Sequence, residues 1–214
     1  MDVKLVEARQ DHVAFLAWVM LTAFRFHLER GMWDFFVGGT DDEGLRFLEA
    51  LAVTETRHWG HYSNFIVAEV DGKPASALCG YFDADCGGPA FVRGVTEASR
   101  AIGRTEEDNR AGWQRADSIA HCHIQRAEGA WIVENVATLP ELRRRGLVDH
   151  LLSEILERGR RRGAAVAEIG VFIGNDPAQR AYEKAGFVVV GEKCHPDFEA
   201  VYKCPGARLL RRSL

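Results

Sequence analysis

Two tracts in the second half of the chain hold residues whose types and spacing could bind an anion and donate a proton. The first is the basic loop Arg143-Arg144-Arg145-Gly146-Leu147-Val148, which follows an apolar stretch and leads into a predicted helix. A helix N-terminus directs unpaired backbone N–H groups at one point, and arginines add cationic donors, so this loop suits a phosphate group. Taken alone, the loop is equally well explained as a basic turn in solvent.

The second tract, Asn175-Asp176-Pro177-Ala178, opens a short helix that carries Tyr182. Asp176 is the predicted cap, Pro177 suits the first helical position, and Gly186 follows the helix end. Small residues share one helix face with the tyrosine: Ala178, Ala181 and Ala185. We therefore expect Tyr182 to point inwards, where its hydroxyl needs a partner. Spacing alone favours a core tyrosine, and a proton donor is the alternative.

Length and composition limit the kind of protein that this sequence can form. With 214 residues, 47% hydrophobic and 27% charged, the chain suits a single domain with a packed core. The net charge of −4 gives no support for nucleic-acid binding. The longest apolar run, Val13–Phe24, is too short to span a bilayer, and Met1-Asp2 does not begin a signal segment. Five scattered cysteines, an odd number, fit a reduced, cytoplasmic protein.

The first half of the chain is predicted to contain both strands and helices. The predicted elements are a strand Val3–Val6, a helix capped by Asp11 over Val13–Phe24, an aromatic loop over residues 25–40, a helix Glu43–Arg57, and a hairpin of Asn64–Val70 and Lys73–Phe82 around Asp71-Gly72. The pattern weakens between Asp83 and Glu128, where helices are predicted over residues 94–102 and 106–120. We interpret residues 83–128 as a helical insertion or lid.

The second half is predicted to place the two tracts after successive strands. The elements are a strand Trp131–Thr138, a helix with Val148, Leu151, Leu152, Ile155 and Gly159 on one face, a strand Val166–Ile173, the helix after Asp176, and strands Phe187–Gly191 and Phe198–Lys203. The basic loop thus follows one strand and the Tyr182 helix follows the next.

In this order, the two tracts resemble the GNAT superfamily of N-acetyltransferases that use acetyl-CoA. Residues 136–148, VATLPELRRRGLV, are similar to that family's strand, proline and R/Q-x-x-G-x-G/A loop. Residues 175–187, NDPAQRAYEKAGF, are similar to its N-x-x-A-x-x-x-Y-E-K-x-G-F signature. The resemblance covers about residues 130–190. It implies an α/β (α+β) chain with the GNAT fold, in which a mixed, mostly antiparallel central sheet has helices on both faces.

The resemblance also implies an activity, transfer of an acetyl group from acetyl-CoA to a primary amine of a small molecule or peptide by direct attack in a ternary complex. The implied cofactor-binding residues are Val136, Ala137, Thr138, Arg143, Arg144, Arg145, Gly146, Leu147, Val148 and Asn175. Strand N–H groups would stabilise the developing oxyanion, and Tyr182 would protonate the departing thiolate. Val148 departs from the family's Gly or Ala, so we expect a slightly altered pyrophosphate seat.

The acceptor amine must lose a proton, which requires a base or a water relay. Glu134 is the leading candidate, because an ionised carboxylate inside an apolar strand is costly unless it is paired. The alternative is a carboxylate that pairs with a neighbouring strand or an arginine. In a strand, His121 and His123 would share a face, but no third ligand stands nearby at a recognisable spacing, so no metal site is predicted. Cys79 is interpreted as a small core residue rather than a nucleophile.

The acceptor side is predicted to involve the Phe26–Asp42 loop, the hairpin end and the insertion. These segments combine aromatic residues with acids, namely Trp33, Phe35, Phe36 and Trp113 with Asp34, Asp41, Asp83 and Asp85. Such a combination favours a cationic amine. Two other functions are compatible with the sequence, a non-catalytic acyl-CoA-binding module and a metal-dependent hydrolase. A homodimer is also compatible, with Cys194–Leu214 pairing with a partner chain.

Overall fold

The structure of residues 2–214, a computed structural model, is built around one central sheet. Its strands are β1 Val3–Glu7, β2 Phe65–Val70, β3 Lys73–Phe82, β4 Trp131–Thr138, β5 Val166–Phe172, β6 Val188–Cys194 and β7 Gly206–Ser213. They lie in the order β1-β2-β3-β4-β5-β7-β6, and all neighbours are antiparallel except β4 and β5. The predicted mixed, mostly antiparallel sheet is therefore confirmed.

Helices cover both faces of this sheet. They are α1 Val13–Arg25, α2 Met32–Val37, α3 Asp41–Ala52, α4 Asp83–Cys86, α5 Gly88–Ala101, α6 Glu106–Ala116, α7 Leu147–Arg161, α8 Asp176–Lys184 and α9 Pro196–Tyr202. Short 3-10 helices lie at Gln10–His12, Tyr62–Asn64, Asp117–Cys122 and Pro140–Leu142. Among the helices described, none has the length and apolar character needed to cross a membrane.

The hydrophobic core consists of two main layers separated by the sheet. Helices α1, α2, α3 and α5 pack on what we call the α1 face, and α7 and α8 pack on the α7 face. Side chains of β4 alternate between these layers, with Ile132 and Ala137 on the α1 face and Trp131 and Val133 on the α7 face. A residue's position along β4 therefore decides in which of the two core layers its side chain packs.

The sheet opens between β4 and β5. These parallel strands pair where Trp131–Val133 faces Ala167–Ile169, and within the described residues the pairing stops there. Next to the opening, the β3–β4 register shifts between Ala77 and Cys79, and Asn135 adopts a left-handed conformation with φ of 56°. This bulge bends β4 and increases its local twist, which separates it from β5.

One predicted strand is wrong. Residues 198–202 belong to α9 and Lys203 follows its end. Pro196 occupies the first turn of this helix, and the His195 side chain accepts a hydrogen bond from the Asp197 backbone N–H. The last strand is instead β7, which the sequence pattern did not identify and which lies between β5 and β6. Apolar runs of this length do not distinguish a strand from a buried helix, so the capping residues decide.

Several predicted boundaries also move. The aromatic loop contains α2, α3 ends at Ala52 rather than Arg57, and α5 begins at Gly88. Residues 117–122 form a 3-10 helix rather than the end of α6. The caps of α1 and α8 are His12 and Asn175, each one residue from the cap predicted from the sequence. Helices α5 and α6 bury Val95, Ala98 and Ala116 in the α1-face core, and the role of residues 83–128 as an insertion or lid stays a prediction.

Candidate active site

A cleft of about 1520 Å³ follows the opening between β4 and β5. Its walls include Glu134–Thr138 of β4 and Ile169–Phe172 of β5. Residues of α7 and α8 line what we call the donor end, and residues from the end of α1, Trp59 and Phe91 line the acceptor end. The cleft therefore connects the two faces of the sheet through the gap between its parallel strands.

At the donor end, the N-terminus of α7 has free backbone donors. Gly146 is the cap residue, with φ of 79°, and no side chain within the described structure caps this helix. The first N–H that bonds back along the helix belongs to His150, which donates to the Gly146 carbonyl at 3.3 Å. The preceding N–H groups have no partner within the helix and carry the positive end of its dipole. This geometry suits an anionic group such as a phosphate.

Cationic side chains surround this helix end. Arg143, Arg144, Arg180 and Lys184 line the cleft, and Arg143 Nε donates to the Thr138 carbonyl at 3.3 Å, which ties the loop to the end of β4. All of the predicted cofactor-binding residues except Arg145 line this cleft. The structure thus brings them together, and their role in binding a cofactor stays a prediction.

Val148 is the second residue of α7 and lines the donor end. Its side chain is half-buried and packs against the α7-face core. A β-branched side chain therefore lies in the first turn of α7, where the backbone N–H groups have no partner within the helix. The altered pyrophosphate seat predicted from the sequence is compatible with this position.

Tyr182 lies on the inner face of α8 and is 6% exposed, so the predicted inward orientation is confirmed. It packs with Ala178, Ala181 and Phe187 in the α7-face core and also lines the cleft. Burial raises the pKa of its hydroxyl above the ordinary value, because the phenolate would lose its hydration. The hydroxyl is therefore protonated at neutral pH and is available as a proton donor beside the cleft.

The bulge in β4 exposes backbone groups to the cleft. Beyond Val133 the edge of β4 that faces β5 leaves its partner, and Val136, Ala137 and Thr138 line the opening. Asn135 holds the bulge, a role that we did not identify from the sequence. Its Nδ2 donates to Cys79 Sγ at 3.3 Å. Asparagine is a poor strand former that tolerates left-handed backbone, which was the available signal.

Glu134 lies at the cleft on the side that meets the α1 face. Its carboxylate accepts hydrogen bonds from the Tyr81 hydroxyl at 2.9 Å and from Arg126 at 3.0 Å. Burial and the nearby Glu134 charge raise the pKa of Tyr81 well above its ordinary value, so this hydroxyl remains a donor. The pairing alternative for Glu134 is thus observed, and its role as a base stays a prediction. Tyr81 and Arg126 had no recognisable sequence signal, because their relation to Glu134 depends on folding.

Parts of all three predicted segments line the acceptor end, but the four aromatic residues named for it do not. Trp33 and Phe36 are completely buried in the α1-face core, and Trp113 packs against Phe36 with ring centroids 4.4 Å apart. Most of the predicted acids form ion pairs or other contacts away from the lining: Asp34 and Asp41 with Arg25, and Asp85 with Arg162. Phe35 packs against Tyr202. Large aromatic residues near helices are core residues more often than binding residues, which explains the error.

The aromatic residues that do line the acceptor end come from several separate segments. Phe24 lies in the last turn of α1 and Phe26 follows the end of this helix. Trp59 stacks on Phe91 of α5 with centroids 4.7 Å apart. Asp83 is the one predicted acid of that group that lines the cleft. This end therefore combines aromatic faces with the Asp83 and Glu134 carboxylates, which suits a protonated amine.

The remaining sequence candidates have different surroundings. His123 lines the cleft, whereas His121 stacks on His195 with centroids 4.1 Å apart. Residues Asp117–Cys122 form a 3-10 helix, so these two histidines do not share the face that a strand would have given them. Cys79 is completely buried, and burial raises the pKa of its thiol, so it is a core residue with little thiolate.

Comparison with known proteins agrees with this geometry. Residues 27–187 match the model of the acetyltransferase (GNAT) family. No curated protein matches the sequence. The fold is similar to a crystal structure described as an acetyltransferase (TM-score 0.71, 15% identity, 98% of both chains covered). It is also similar to an N-acetyltransferase from Staphylococcus aureus Mu50 (TM-score 0.64, 19% identity, 98% of this chain and 100% of that one).

A further similar structure is that of yncA from Salmonella typhimurium, solved with its cofactor acetyl-CoA (TM-score 0.51, 16% identity, 99% of this chain and 94% of that one). At these identities the structural likeness establishes the fold. The family model covers well over half of the sequence, including the α7 loop and Tyr182. The chain therefore belongs to the acetyltransferase (GNAT) family.

Proposed function

We propose that the protein transfers an acetyl group from acetyl-CoA to a primary amine of a small molecule or peptide, by direct attack of the amine in a ternary complex. The observation that carries this proposal is the continuous cleft from the free N-terminus of α7, through the opening between β4 and β5, to the Glu134 carboxylate. Groups suited to an anion and groups suited to a cationic amine thus lie at opposite ends of one cavity.

The residues at the donor end fit acetyl-CoA. The α7 N–H groups, with Arg143 and Arg144, would hold the pyrophosphate, and the open edge of β4 with Asn175 would hold the pantetheine arm. When bound, acetyl-CoA supplies the activated acetyl thioester. At about 1520 Å³ the cleft is larger than the roughly 300–1000 Å³ of ordinary small-molecule pockets, which leaves room for an acceptor beside the cofactor.

Three groups of this chain would perform the proton and charge steps. N–H groups of β4 near the bulge would stabilise negative charge on the acetyl carbonyl oxygen. Tyr182 would donate its proton to the leaving sulfur, since burial keeps its hydroxyl protonated. Glu134 would receive the proton of the attacking amine, directly or through a water molecule. The Tyr81 and Arg126 donors would hold its carboxylate in place.

A thiol-release screen tests the proposal. The purified chain is incubated with acetyl-CoA and a panel of polyamines, aromatic amines, amino acids and peptides, and products are identified by mass spectrometry. We expect thiol release that depends on one class of amine, with one acetylated amine formed for each thiol. Binding of acetyl-CoA without turnover on any amine would instead support a non-catalytic module. Metal-dependent hydrolysis without acetyl-CoA would support a hydrolase.

A further inference from the structure

We propose that His121, His195 and Asp197 form a site for a divalent transition metal, with Zn²⁺ as the preferred ion. Each of these residues offers one ligand atom, and the three atoms lie within 4.8 Å of one another. Asp197 Oδ2 is 3.8 Å from His121 Nε2 and 3.8 Å from His195 Nδ1. The site is separate from the cleft lining and goes beyond the proposed transferase activity.

The donor set has the chemistry of a zinc site. Two imidazole nitrogens and one carboxylate oxygen are common zinc ligands, with a water molecule in the fourth position. Tetrahedral zinc with bonds of about 2.0–2.1 Å needs ligand atoms roughly 3.3 Å apart, slightly closer than the separations found here. The Asp197 side chain is 71% exposed, so it can turn towards the histidines without disturbing the core.

The two histidine rings lie next to each other, and one ring has to turn before both can bind one ion. Those of His121 and His195 stack with an interplanar angle of 9°, so their in-plane lone pairs run parallel. The His121 side chain is 40% exposed and can rotate, whereas His195 Nδ1 accepts a hydrogen bond from the Asp197 N–H at 3.2 Å. This bond caps α9 and fixes the ring beside the carboxylate. A metal bound through the same nitrogen replaces one neutral hydrogen bond, which is weak compared with metal coordination.

The ligands join two separate parts of the fold. His121 belongs to the 3-10 helix Asp117–Cys122 within the predicted insertion, and Asp197 belongs to α9. Their neighbours Cys122, His123 and Phe198 line the cleft. A bound metal would therefore link these two segments and stiffen the cleft wall that they form together.

Zinc titration of the full chain, stripped with a chelator and followed by calorimetry, tests the site. We expect one equivalent of Zn²⁺ to bind and to raise the unfolding temperature. His121→Ala and Asp197→Asn should each weaken binding at least about tenfold, because each removes a ligand. Glu199→Gln, an exposed carboxylate on the same helix, and His150→Ala, an exposed histidine on α7, should bind zinc as the unmodified chain does.

Asp197→Asn keeps the backbone cap of α9, and circular dichroism of each variant establishes that it is folded. Absence of saturable binding near one equivalent would overturn the proposal. Equal binding by His121→Ala, Asp197→Asn and the two controls would also overturn it, because the ion would then lie elsewhere. The titration contains no acetyl-CoA, so its result is independent of the proposed transferase activity.

Discussion

The donor end and the acceptor end of the cleft are built in different ways. The donor end consists largely of backbone features, namely the free N-terminus of α7 and the bulge in β4, with side chains from two short tracts. The acceptor end consists of side chains from the end of α1, Trp59, β3 and α5. A site made of local backbone leaves a short, ordered sequence signature, whereas a site made of distant side chains leaves none.

The two ends also differ in charge. At the donor end arginines line the cleft and Lys184 pairs with the Asp149 carboxylate. At the acceptor end the Asp83 and Glu134 carboxylates lie among aromatic rings, and Glu134 pairs with Arg126. If this division reflects separate binding of a polyanionic cofactor and a cationic amine, changes at one end should leave binding at the other end intact.

The largest effect is expected for Tyr182→Phe. Removal of a general acid typically costs about 10²–10⁴ in rate, so we expect turnover to fall roughly 1000-fold with little change in acetyl-CoA affinity. Steady-state kinetics and calorimetry measure the two quantities. Tyr202→Phe is the matched control, because Tyr202 is also buried but packs in a separate cluster with Phe198. Equal turnover of the two variants would refute the assignment.

At the acceptor end, Glu134→Gln should lower kcat/KM for the amine about 100-fold, because the amide cannot accept the proton. Acetyl-CoA affinity should not change. Glu69→Gln is the control, since Glu69 is also a strand carboxylate paired with a histidine and an arginine, but on β2. If kcat/KM fell by the same factor at every pH, so that its pH profile kept its shape, Glu134 would only hold Tyr81 and Arg126 in place.

Low pH should weaken the framework of the acceptor end. His58 is completely buried against Phe91, and burial lowers its pKa to about 4. In the unfolded chain, His58 takes up a proton near its ordinary pKa of about 6.5. The stability that the neutral, buried ring contributes above that pH is therefore lost as the pH falls towards 4. When the pH is lowered from about 7 to about 5, the titration of this histidine should reduce the free energy of unfolding by about 2 kcal/mol.

Urea unfolding over this pH range measures the effect. His58→Gln should be less stable at neutral pH, because it loses the ring's hydrogen bonds, but it should lack this part of the pH dependence. Carboxylates titrate in both proteins and cancel in the difference. His150→Ala, which removes an exposed histidine, should keep the full pH dependence. Parallel curves for His58→Gln and the unmodified chain would contradict the prediction.

At the donor end, Gly146→Ala should weaken acetyl-CoA binding about tenfold. A side chain in left-handed backbone costs about 1–2 kcal/mol, which the loop would relieve by moving its N–H groups. The new Cβ would meet Asp149 at 3.9 Å, so crowding is not the cause. Gly163→Ala is the control, because Gly163 has φ of 86° in open space at the other end of α7. We expect both variants to lose similar stability, but only Gly146→Ala to bind acetyl-CoA more weakly.

The smallest effect is expected for Phe91→Leu. Loss of the aromatic face stacked on Trp59 should raise the KM for the amine about fivefold, because a cation–aromatic contact contributes roughly 1 kcal/mol. The KM for acetyl-CoA should stay unchanged. Phe82→Leu removes a similarly half-buried ring on the α7 face, outside the cleft lining, and should leave both constants unchanged. A rise in the acetyl-CoA KM for Phe91→Leu would show that the two ends are not independent.

The sequence predictions were more successful at the donor end than at the acceptor end. The hairpin around Asp71-Gly72, β4, α7 and the inward face of Tyr182 were predictable, because turn residues, caps and periodicity act over a few positions. The strand predicted at residues 198–203 was wrong, because its apolar pattern suits two structures and β7 forms by insertion between distant strands. Of the aromatic residues predicted for the acceptor, Trp33 and Phe36 are buried in the α1-face core, and Phe35 and Trp113 pack against it.

The sequence by itself determined the family, the order of the elements around the donor end and the placement of Tyr182 on the helix that follows β5. These depend on a helix N-terminus and short motifs, whose geometry is local. Only the tertiary structure decided the pairing of Glu134 with Tyr81 and Arg126, the aromatic walls of the acceptor end, and the meeting of His121 with Asp197. These contacts join residues far apart in the chain, so they exist only after the sheet and both helical layers have packed.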